Sequence, residues 1–295
     1  MSNFVLSCCS TVDLTKEVLK KYDIEFISFH FTIGEDNYID DMGGSISHKE
    51  RYRRMVAGED AKTSQVGVGE YSEYFEKFLK AGKDVLHLTL SSGISGTLNS
   101  AMIAKNELQD KYPDRKIIVL DSVAASSGYG LLMIYLAELR DQGKSIDELA
   151  EWAEANKLKV HHWFFSSDLT FFIKGGRVSK TAGFVGQLLS ICPLLNVDFK
   201  GRLIPREKIK SKKRVIKRIV EKMVDNADGG VDYNGKCYIS NSDCYKDARD
   251  VADLIEETFP ALKGKVEIYD IGATIGSHTG PGTVALFFMG SERVD

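Results

Sequence analysis

Asp84-Val-Leu-His-Leu-Thr-Leu90 runs directly into Ser91-Ser-Gly-Ile-Ser-Gly-Thr97, and this stretch decides the fold. Its first half is a compact apolar run typical of a buried strand, and residues 98–108 predict a helix. Hydroxyls and glycines between a strand and a helix favour an anion site. Glycine lets the backbone approach closely, and the first helical N–H groups are unpaired and carry the positive end of the helix dipole. The sequence therefore predicts an anion site here, which we interpret as a carboxylate site.

The residues up to 157 alternate strands with helices. Strands are predicted at 4–6, 24–33, 84–90 and 116–121, helices at 10–21, 47–57, 70–80, 98–111, 125–140 and 145–156, a turn at 34–37 and a polar loop at 62–67. This order predicts a doubly wound, mostly parallel sheet in an N-terminal α/β domain over residues 1–157. Such sheets bind ligands beyond the carboxyl ends of their strands, where the turn at 91–97 lies.

The pattern changes in the second half, for which we predict a second α/β domain over residues 158–295. The run 194–209 alternates like a strand pair around Lys200-Gly201 and predicts a hairpin. Further strands are predicted at 161–165, 236–240, 266–270 and 284–289, and helices at 168–173, 180–191, 212–225 and 245–259. We expect the ligand to lie in the cleft between the two domains.

Composition excludes several classes of function. The net charge of -3 gives no reason to expect a nucleic-acid partner, and no apolar run approaches the ~20 residues of a membrane span. The five cysteines contain no C-x-x-C pair, which argues against a disulfide framework or a structural zinc and favours a reducing cytoplasm. Neither a P-loop nor a G-x-G-x-x-G motif is present, so we expect no cofactor, no metal and no catalytic residue.

Three alternatives stay open at this level. Ser91, Ser92 and Ser95 could serve only to cap the following helix. Gly93-Ile-Ser-Gly-Thr97 also approaches the nucleophile elbow of serine hydrolases, with Ser95 followed in the chain by Asp270 and His278, although Thr97 replaces the last glycine. A phosphotransferase component built on a similar sheet is the third alternative.

Six short motifs, in this order along nearly the whole chain, resemble the DegV family. They are Ser10-Thr-Val-Asp-Leu14, Thr63-Ser-Gln65, the turn Ser91–Thr97, Asp121-Ser122, Gly175-Gly-Arg-Val-Ser179 and His278-Thr-Gly-Pro-Gly-Thr283. The resemblance implies a bacterial two-domain protein that holds a long-chain fatty acid, such as palmitate, between its domains. Some members of the family present the bound acid to a separate fatty-acid kinase. We therefore expect a carrier in lipid transport or fatty acid metabolism that is itself no enzyme.

The resemblance also implies where the ligand binds. Thr63 and Ser95 are expected to meet its carboxylate, together with Ser64, Ser92 and Thr97. Hydroxyls suit this task because each donates a charge-assisted hydrogen bond. His278 and Thr279 belong to a glycine-rich turn that we also place near the head group. The acyl tunnel is expected to draw on the apolar residues Trp163, Phe164, Phe165, Phe171, Phe172, Ile173, Phe184, Val185, Leu188, Leu189, Ile191, Leu194 and Leu195.

Two positions depart from the family pattern, and two basic features keep a second interpretation. Cys9 stands where the family usually has an acidic residue, and Val66 where it usually has proline, which leaves Gln65 freer in its backbone angles. Arg177 is either an exposed turn residue or faces the mouth of the cleft or the kinase. The basic run from Lys208 to Arg218 is either a solvated helix face or a surface for transient contact with a membrane or the kinase.

Overall fold

The computed structural model describes residues 3–179 and 191–294. The strands are β1 Phe4–Cys9, β2 Ile24–Ile27, β3 His30–Ile33, β4 Asp36–Ile39, β5 Ala61–Ser64, β6 Asp84–Thr89, β7 Ile117–Asp121, β8 Val160–Ser166, β9 Ile191–Val197, β10 Leu203–Lys210, β11 Cys237–Asn241, β12 Glu267–Asp270 and β13 Thr283–Met289. The helices are α1 Lys16–Lys21, α2 His48–Val56, α3 Val68–Lys80, α4 Thr97–Lys111, α5 Ser126–Asp141, α6 Ile146–Asn156, α7 Thr170–Lys174, α8 Lys212–Asn226, α9 Tyr245–Thr258 and α10 Ala273–Thr279.

The N-terminal sheet is parallel throughout, in the order β2-β1-β6-β7. Helices α3 and α4 pack together against β6 and β7, while α5 contacts β1 and α6 contacts β7. Val85, Leu86 and Leu88 of β6 are fully buried because helices cover this sheet. The prediction of a parallel α/β sheet is confirmed, and the turn at 91–97 follows β6 at its carboxyl end.

The second sheet has six strands in the order β10-β9-β8-β13-β11-β12. Its neighbours pair antiparallel except for β11 and β12, which are parallel. The predicted hairpin is confirmed as β9 and β10, which turn at Lys200-Gly201 with Gly201 at a φ of 71°. Only glycine adopts this left-handed conformation without strain.

Helix α5 lies between the two sheets and contacts β1 on one side and β8, β11 and β13 on the other. A Cβ atom at Gly128 would collide with His162 and Phe287, so glycine is what allows α5 to approach the second sheet closely. One continuous hydrophobic core therefore runs through both halves of the chain. The division into domains at residues 157 and 158 stays a prediction, and β8 begins just after it.

Several predicted elements in the N-terminal half are wrong. The run 24–33 forms two strands, β2 and β3, which belong to different sheets, and the loop predicted at 62–67 contains strand β5. Strands β4, β3 and β5 make a separate antiparallel sheet. Ser10 does not cap a helix: its Oγ accepts a hydrogen bond from Phe29 N, and α1 begins only after Thr15.

Two further differences concern the C-terminal half. The turn predicted around His278 is the end of helix α10, a helix that the sequence did not predict. Strand β5 and helix α10 are both too short to stand out in the local sequence pattern, and both are held by distant elements: β5 pairs with β3, and α10 packs on α7, β3 and β5. The helix predicted at 180–191 falls almost wholly on residues 180–190, outside the described residues.

Candidate functional site

A cavity of about 620 Å³ lies between the two sheets, within the size range of small-molecule sites. The turn after β6 and the end of β5 form one part of its wall, and α5, α10 and the second sheet form the rest. The lining residues are Phe29, Thr63, Ser64, Gln65, Leu90, Ile94, Ser95, Gly96, Ala125, Ser126, His162, Phe164, Phe172, Arg177, Val197, Leu203, Ile271, Thr274, Ile275, His278, Thr279, Thr283, Ala285 and Phe287.

Polar side chains meet in one part of this wall. The Oγ1 atom of Thr63 is 2.7 Å from Nε2 of His278, and Nη1 of Arg177 is 3.4 Å from Nδ1 of the same histidine. Arg177 Nε also donates to the carbonyl oxygen of Ile94, the residue before Ser95. Segments that lie far apart in the sequence thus bring hydroxyls, an imidazole and a guanidinium together.

The hydrogen bonds assign the protons of this cluster. Arg177 can only donate, so His278 Nδ1 accepts from it and His278 carries its proton on Nε2. That proton is donated to Thr63 Oγ1, which leaves the threonine hydroxyl hydrogen free for a ligand. Burial, with the nearby Arg177 charge second, lowers the pKa of His278 to about 4, so the imidazole is neutral at pH 7.

Arg177 supplies the positive charge of the site. Burial lowers the pKa of its guanidinium from the ordinary value, yet arginine stays protonated at neutral pH. Among the lining residues that the structure describes, no carboxylate balances this charge. The polar part of the cavity is therefore suited to an anion, and the interpretation of Arg177 as a residue facing the cleft agrees with its place in the wall.

Two serines of the turn at 91–97 lie in different surroundings, one packed in the protein and one facing the cavity. Ser91 is buried, and its Oγ donates to the carbonyl oxygen of Gly201 at the hairpin tip over 2.9 Å. Ser95 lines the cavity, and its Oγ accepts from Thr97 N over 3.2 Å, so its hydroxyl hydrogen is also free to donate. Ser95 thus supports the start of α4 and faces the cavity at once.

Of the seven predicted ligand-binding residues, the cavity brings together Thr63, Ser64, Ser95, His278 and Thr279. It does not include Ser92 or Thr97. Ser92 is exposed, with its backbone N–H donated to Asp121 Oδ1, and Thr97 is buried, with its Oγ1 2.8 Å from the Tyr71 hydroxyl. Their neighbours in the motif face the cavity because the turn points its side chains in different directions.

The apolar wall follows the alternation of two neighbouring strands. His162 and Phe164 of β8 and Ala285 and Phe287 of β13 face the cavity, whereas the residues between them face α8 and α9. Of the apolar residues proposed for the tunnel, Phe164 and Phe172 line the cavity, and Trp163, Phe165, Leu194 and Leu195 lie in the core. Phe184, Val185, Leu188 and Leu189 lie outside the described residues.

Sequence reasoning missed most of this wall, including Ala125 and Ser126 at the start of α5 and Thr274 and Ile275 on α10. The period-two alternation of β13 was a usable signal, since every second residue of a strand shares a face. For α10 the signal was weaker, because Thr274, Ile275 and His278 share a helix face only once the helix itself is recognised.

The elements of the hydrolase alternative do not assemble. Asp270 is exposed and accepts a hydrogen bond from Asn241 Nδ2, while His278 bonds Thr63 and Arg177. Within residues 3–179 and 191–294 we find no group of side chains that could hold a metal ion. In the same ranges, no helix is long and apolar enough to cross a membrane.

Three residues of the basic run, Lys212, Lys217 and Arg218, meet acidic neighbours. Lys212 meets Asp247, and both Arg218 and Lys222 meet Glu207. These ion pairs leave less free positive charge on α8 than the sequence suggests, which favours the interpretation of a solvated helix face.

The fold and the cavity together define an α/β protein with two large sheets, a small third sheet and an electropositive ligand site between the large sheets. The sequence model described as "Uncharacterised protein, DegV family" matches residues 9–291. The chain is also 38% identical over 296 residues to a DegV domain-containing protein of Clostridium perfringens, with 99% of both chains covered. The chain therefore belongs to the DegV family.

Solved structures are similar over nearly the whole chain. A Thermotoga maritima protein, whose structure is described as revealing fatty acid binding function, is 26% identical with a TM-score of 0.83, covering 98% of this chain and 100% of that one. The Fatty Acid Kinase B3 protein of Streptococcus pneumoniae, loaded with linoleic acid, has the same fold at 23% identity and a TM-score of 0.83, covering 98% and 99%.

Proposed function

We propose that this protein binds one long-chain fatty acid in the cavity between its sheets. Its carboxylate meets the hydroxyls of Thr63 and Ser95 and the charge of Arg177, with His278 orienting Thr63. The observation that carries the proposal is the junction of one half-buried cation and two free hydroxyl donors with a wall of apolar side chains. The fatty-acid-binding Thermotoga maritima relative supports the same ligand class.

The two parts of the cavity contribute differently to binding. Each buried methylene is worth roughly 0.8 kcal/mol, so a tail of ~14 methylenes contributes about 11 kcal/mol before the entropy cost of association. A hydrogen bond to a charged group adds about 1.5–3 kcal/mol. The tail therefore supplies most of the affinity, and the polar cluster fixes the orientation and selects acids over neutral lipids.

The finer role that we propose is that of a carrier. The protein presents the acid to a separate fatty-acid kinase rather than transforming it, a partner suggested by the likeness to the Fatty Acid Kinase B3 protein of Streptococcus pneumoniae. The chain has no phosphate-binding motif of its own to hold a nucleotide. Its five cysteines are all unpaired, which fits a cytoplasmic location.

The test begins with the purified protein, which is denatured and extracted for mass spectrometry. We expect a long-chain fatty acid in the extract, whose length and saturation this measurement also reports. Delipidated protein is then titrated with palmitate and with hexadecanol, which share a tail but differ at the head.

We expect the alcohol to bind about tenfold more weakly or worse, because it carries no negative charge to pair with Arg177 or to accept charge-assisted bonds from Thr63 and Ser95. Equal affinities would contradict the assigned carboxylate site. An empty extract together with no palmitate binding would show the proposed ligand to be wrong.

A further inference from the structure

Polar residues of the segment 40–52, in the N-terminal half of the chain, hold the start of helix α10. The carboxylate of Asp40, which is 1% exposed, accepts hydrogen bonds from Ala273 N over 3.3 Å and Thr274 N over 3.0 Å. Arg51 is fully buried and donates from Nη2 to the carbonyl oxygen of Ile271 over 2.8 Å. Asp40 thus satisfies two N–H groups that a helix start leaves unpaired.

Residues 51 and 52 of this segment also pack tightly against one face of α10. A Cβ atom at Gly276 would lie 2.6 Å from the Tyr52 hydroxyl and 2.7 Å from Arg51 Nη2. A Cβ atom at Gly272 would collide with Asp13 Oδ1. Because only backbone separates these side chains from the helix axis, their positions determine where α10 lies.

The other end of α10 carries His278. This residue follows Thr274 by one helical turn, about 6 Å along the axis. It fits between Thr63 and Arg177, where a Cβ atom at Gly175 would collide with its Nδ1. In a helix of only seven residues, a shift at the start moves the end as well, so the contacts of Asp40 reach the polar part of the cavity.

Apolar contacts would hold α10 without the free-energy cost of burying polar atoms that lack a hydrogen-bond partner. In the part of the chain that the structure describes, several buried polar atoms around Asp40 have no hydrogen-bond partner: Thr11 Oγ1, Asp13 Oδ1, His48 Nδ1, Arg51 Nε and Nη1, Tyr52 OH and Thr274 Oγ1. Such atoms are costly to bury, and a core of apolar side chains is often the more stable choice. Directional hydrogen bonds, however, fix a helix in register where apolar contacts let it slide.

We infer that Asp40, assisted by Arg51, is a positioning residue for the carboxylate site. It docks the start of α10 so that His278 meets Thr63 and Arg177. The inference about ligand affinity rests on the proposed fatty-acid function, whereas the placement of His278 can be tested without any ligand.

The experiment compares Asp40→Asn with Asp41→Asn in the full chain. Both variants lose one carboxylate, but the hydrogen bonds of Asp41 go to Ser45 and Gly44 within its own loop rather than to α10, so it is a matched control. The pKa of the His278 imidazole is measured by NMR, with the signal assigned through His278→Gln, and the palmitate Kd is measured on delipidated protein.

In Asp40→Asn we expect the pKa of His278 to rise from about 4 towards its ordinary value, because a displaced imidazole regains water. The direct loss of a negative charge would shift that pKa in the opposite direction, so the sign separates displacement from simple electrostatics. The palmitate Kd is expected to rise about tenfold. Asp41→Asn should leave both values unchanged.

Arg51→Lys is a second variant that keeps the test independent of the folding of Asp40→Asn. It retains the positive charge but loses the guanidinium hydrogen bond to the carbonyl oxygen of Ile271. We expect smaller shifts in the same directions. Lower thermal stability of Asp40→Asn with an unchanged His278 pKa, or equal shifts in Asp40→Asn and Asp41→Asn, would overturn the inference. A wild type that binds no palmitate, with His278 still displaced in Asp40→Asn, would refute the proposed function and leave the positioning role standing.

Discussion

The two hydroxyl-rich segments of the cavity wall, residues 61–65 and 91–97, are held in place in different ways. The turn at 91–97 is shaped mainly by its own hydrogen bonds, such as that from Thr97 N to Ser95 Oγ, and is supported from outside at Ser91. Residues 61–64 form an edge strand of a small sheet, and Thr63 finds its partner in His278, 215 residues later. One hydroxyl is thus placed by a local turn, and the other by the docking of distant elements.

Because of this difference, we expect some substitutions to disturb ligand binding directly and others to disturb it through the fold. The hydroxyl hydrogen of Ser95 is free because Ser95 Oγ accepts a hydrogen bond from Thr97 N, and this bond lies within the turn itself. The free hydroxyl hydrogen of Thr63 depends on the tautomer of His278, and therefore on Arg177 and on the position of α10. Three sets of substitutions test this difference between the two segments.

The largest effect is expected at the external support of the 91–97 turn. Gly201→Ala places a Cβ on Ser91 Oγ and forces a left-handed backbone angle on a non-glycine residue. We expect a loss of about 2–4 kcal/mol in the free energy of unfolding, from the backbone strain and from overpacking.

Gly229→Ala is the matched control for Gly201→Ala. Its φ is 76°, and no atom lies within 4 Å of the added Cβ, so only the backbone strain of about 1–2 kcal/mol remains. Urea unfolding of both variants measures the difference. Equal losses would mean that the hairpin tip does not pack against Ser91 as described.

The second change compares the two hydroxyls directly through Thr63→Val and Ser95→Ala. Each variant loses one charge-assisted bond to the carboxylate, so we expect each to weaken palmitate binding by about tenfold or more. Only Thr63→Val leaves the buried Nε2–H of His278 without an acceptor. It should therefore also lower the stability of the ligand-free protein by about 1–3 kcal/mol.

Palmitate titration and urea unfolding of ligand-free protein separate these two effects. Unchanged affinity in the double variant Thr63→Ala with Ser95→Ala would show that the carboxylate binds elsewhere. Equal stability losses in Thr63→Val and Ser95→Ala would remove the distinction between the two segments.

The third effect is absent at neutral pH and appears only on acidification. The pKa of His278 is about 4 in the folded protein and near 6.5 in an unfolded chain, so the unfolded state binds more protons between these values. The folded state therefore loses stability as the pH falls from about 6.5 to about 4. His278→Gln should reduce this loss and leave the stability between pH 7 and 8 without any change in slope.

Thermal unfolding across this pH range measures the share of His278. His87 and His161 are also buried and neutral, with pKa values lowered to about 3 and about 4, so the remaining slope does not vanish. An unchanged slope in His278→Gln would mean that this imidazole is not held in its neutral form by the fold.

Local sequence patterns account for the parallel sheet, the turn at 91–97 and the hairpin at Lys200-Gly201. A buried strand, a glycine turn and an alternating hairpin each carry their signal within about ten residues. Strand β5 and helix α10 carried no such signal, and neither did the exclusion of Ser92 and Thr97 from the cavity. Their placement depends on neighbours that the chain supplies elsewhere.

Sequence patterns alone thus predicted the fold class and the richness in apolar side chains, and the resemblance to the DegV family led to the prediction of Thr63 and Ser95 as ligand residues. Only the tertiary structure decided that Arg177 and His278 join Thr63 and that Asp40 holds α10. These contacts join residues 101 to 233 positions apart. Such pairs form only when both sheets have packed on α5, because no local pattern brings groups so distant in the chain within hydrogen-bond range.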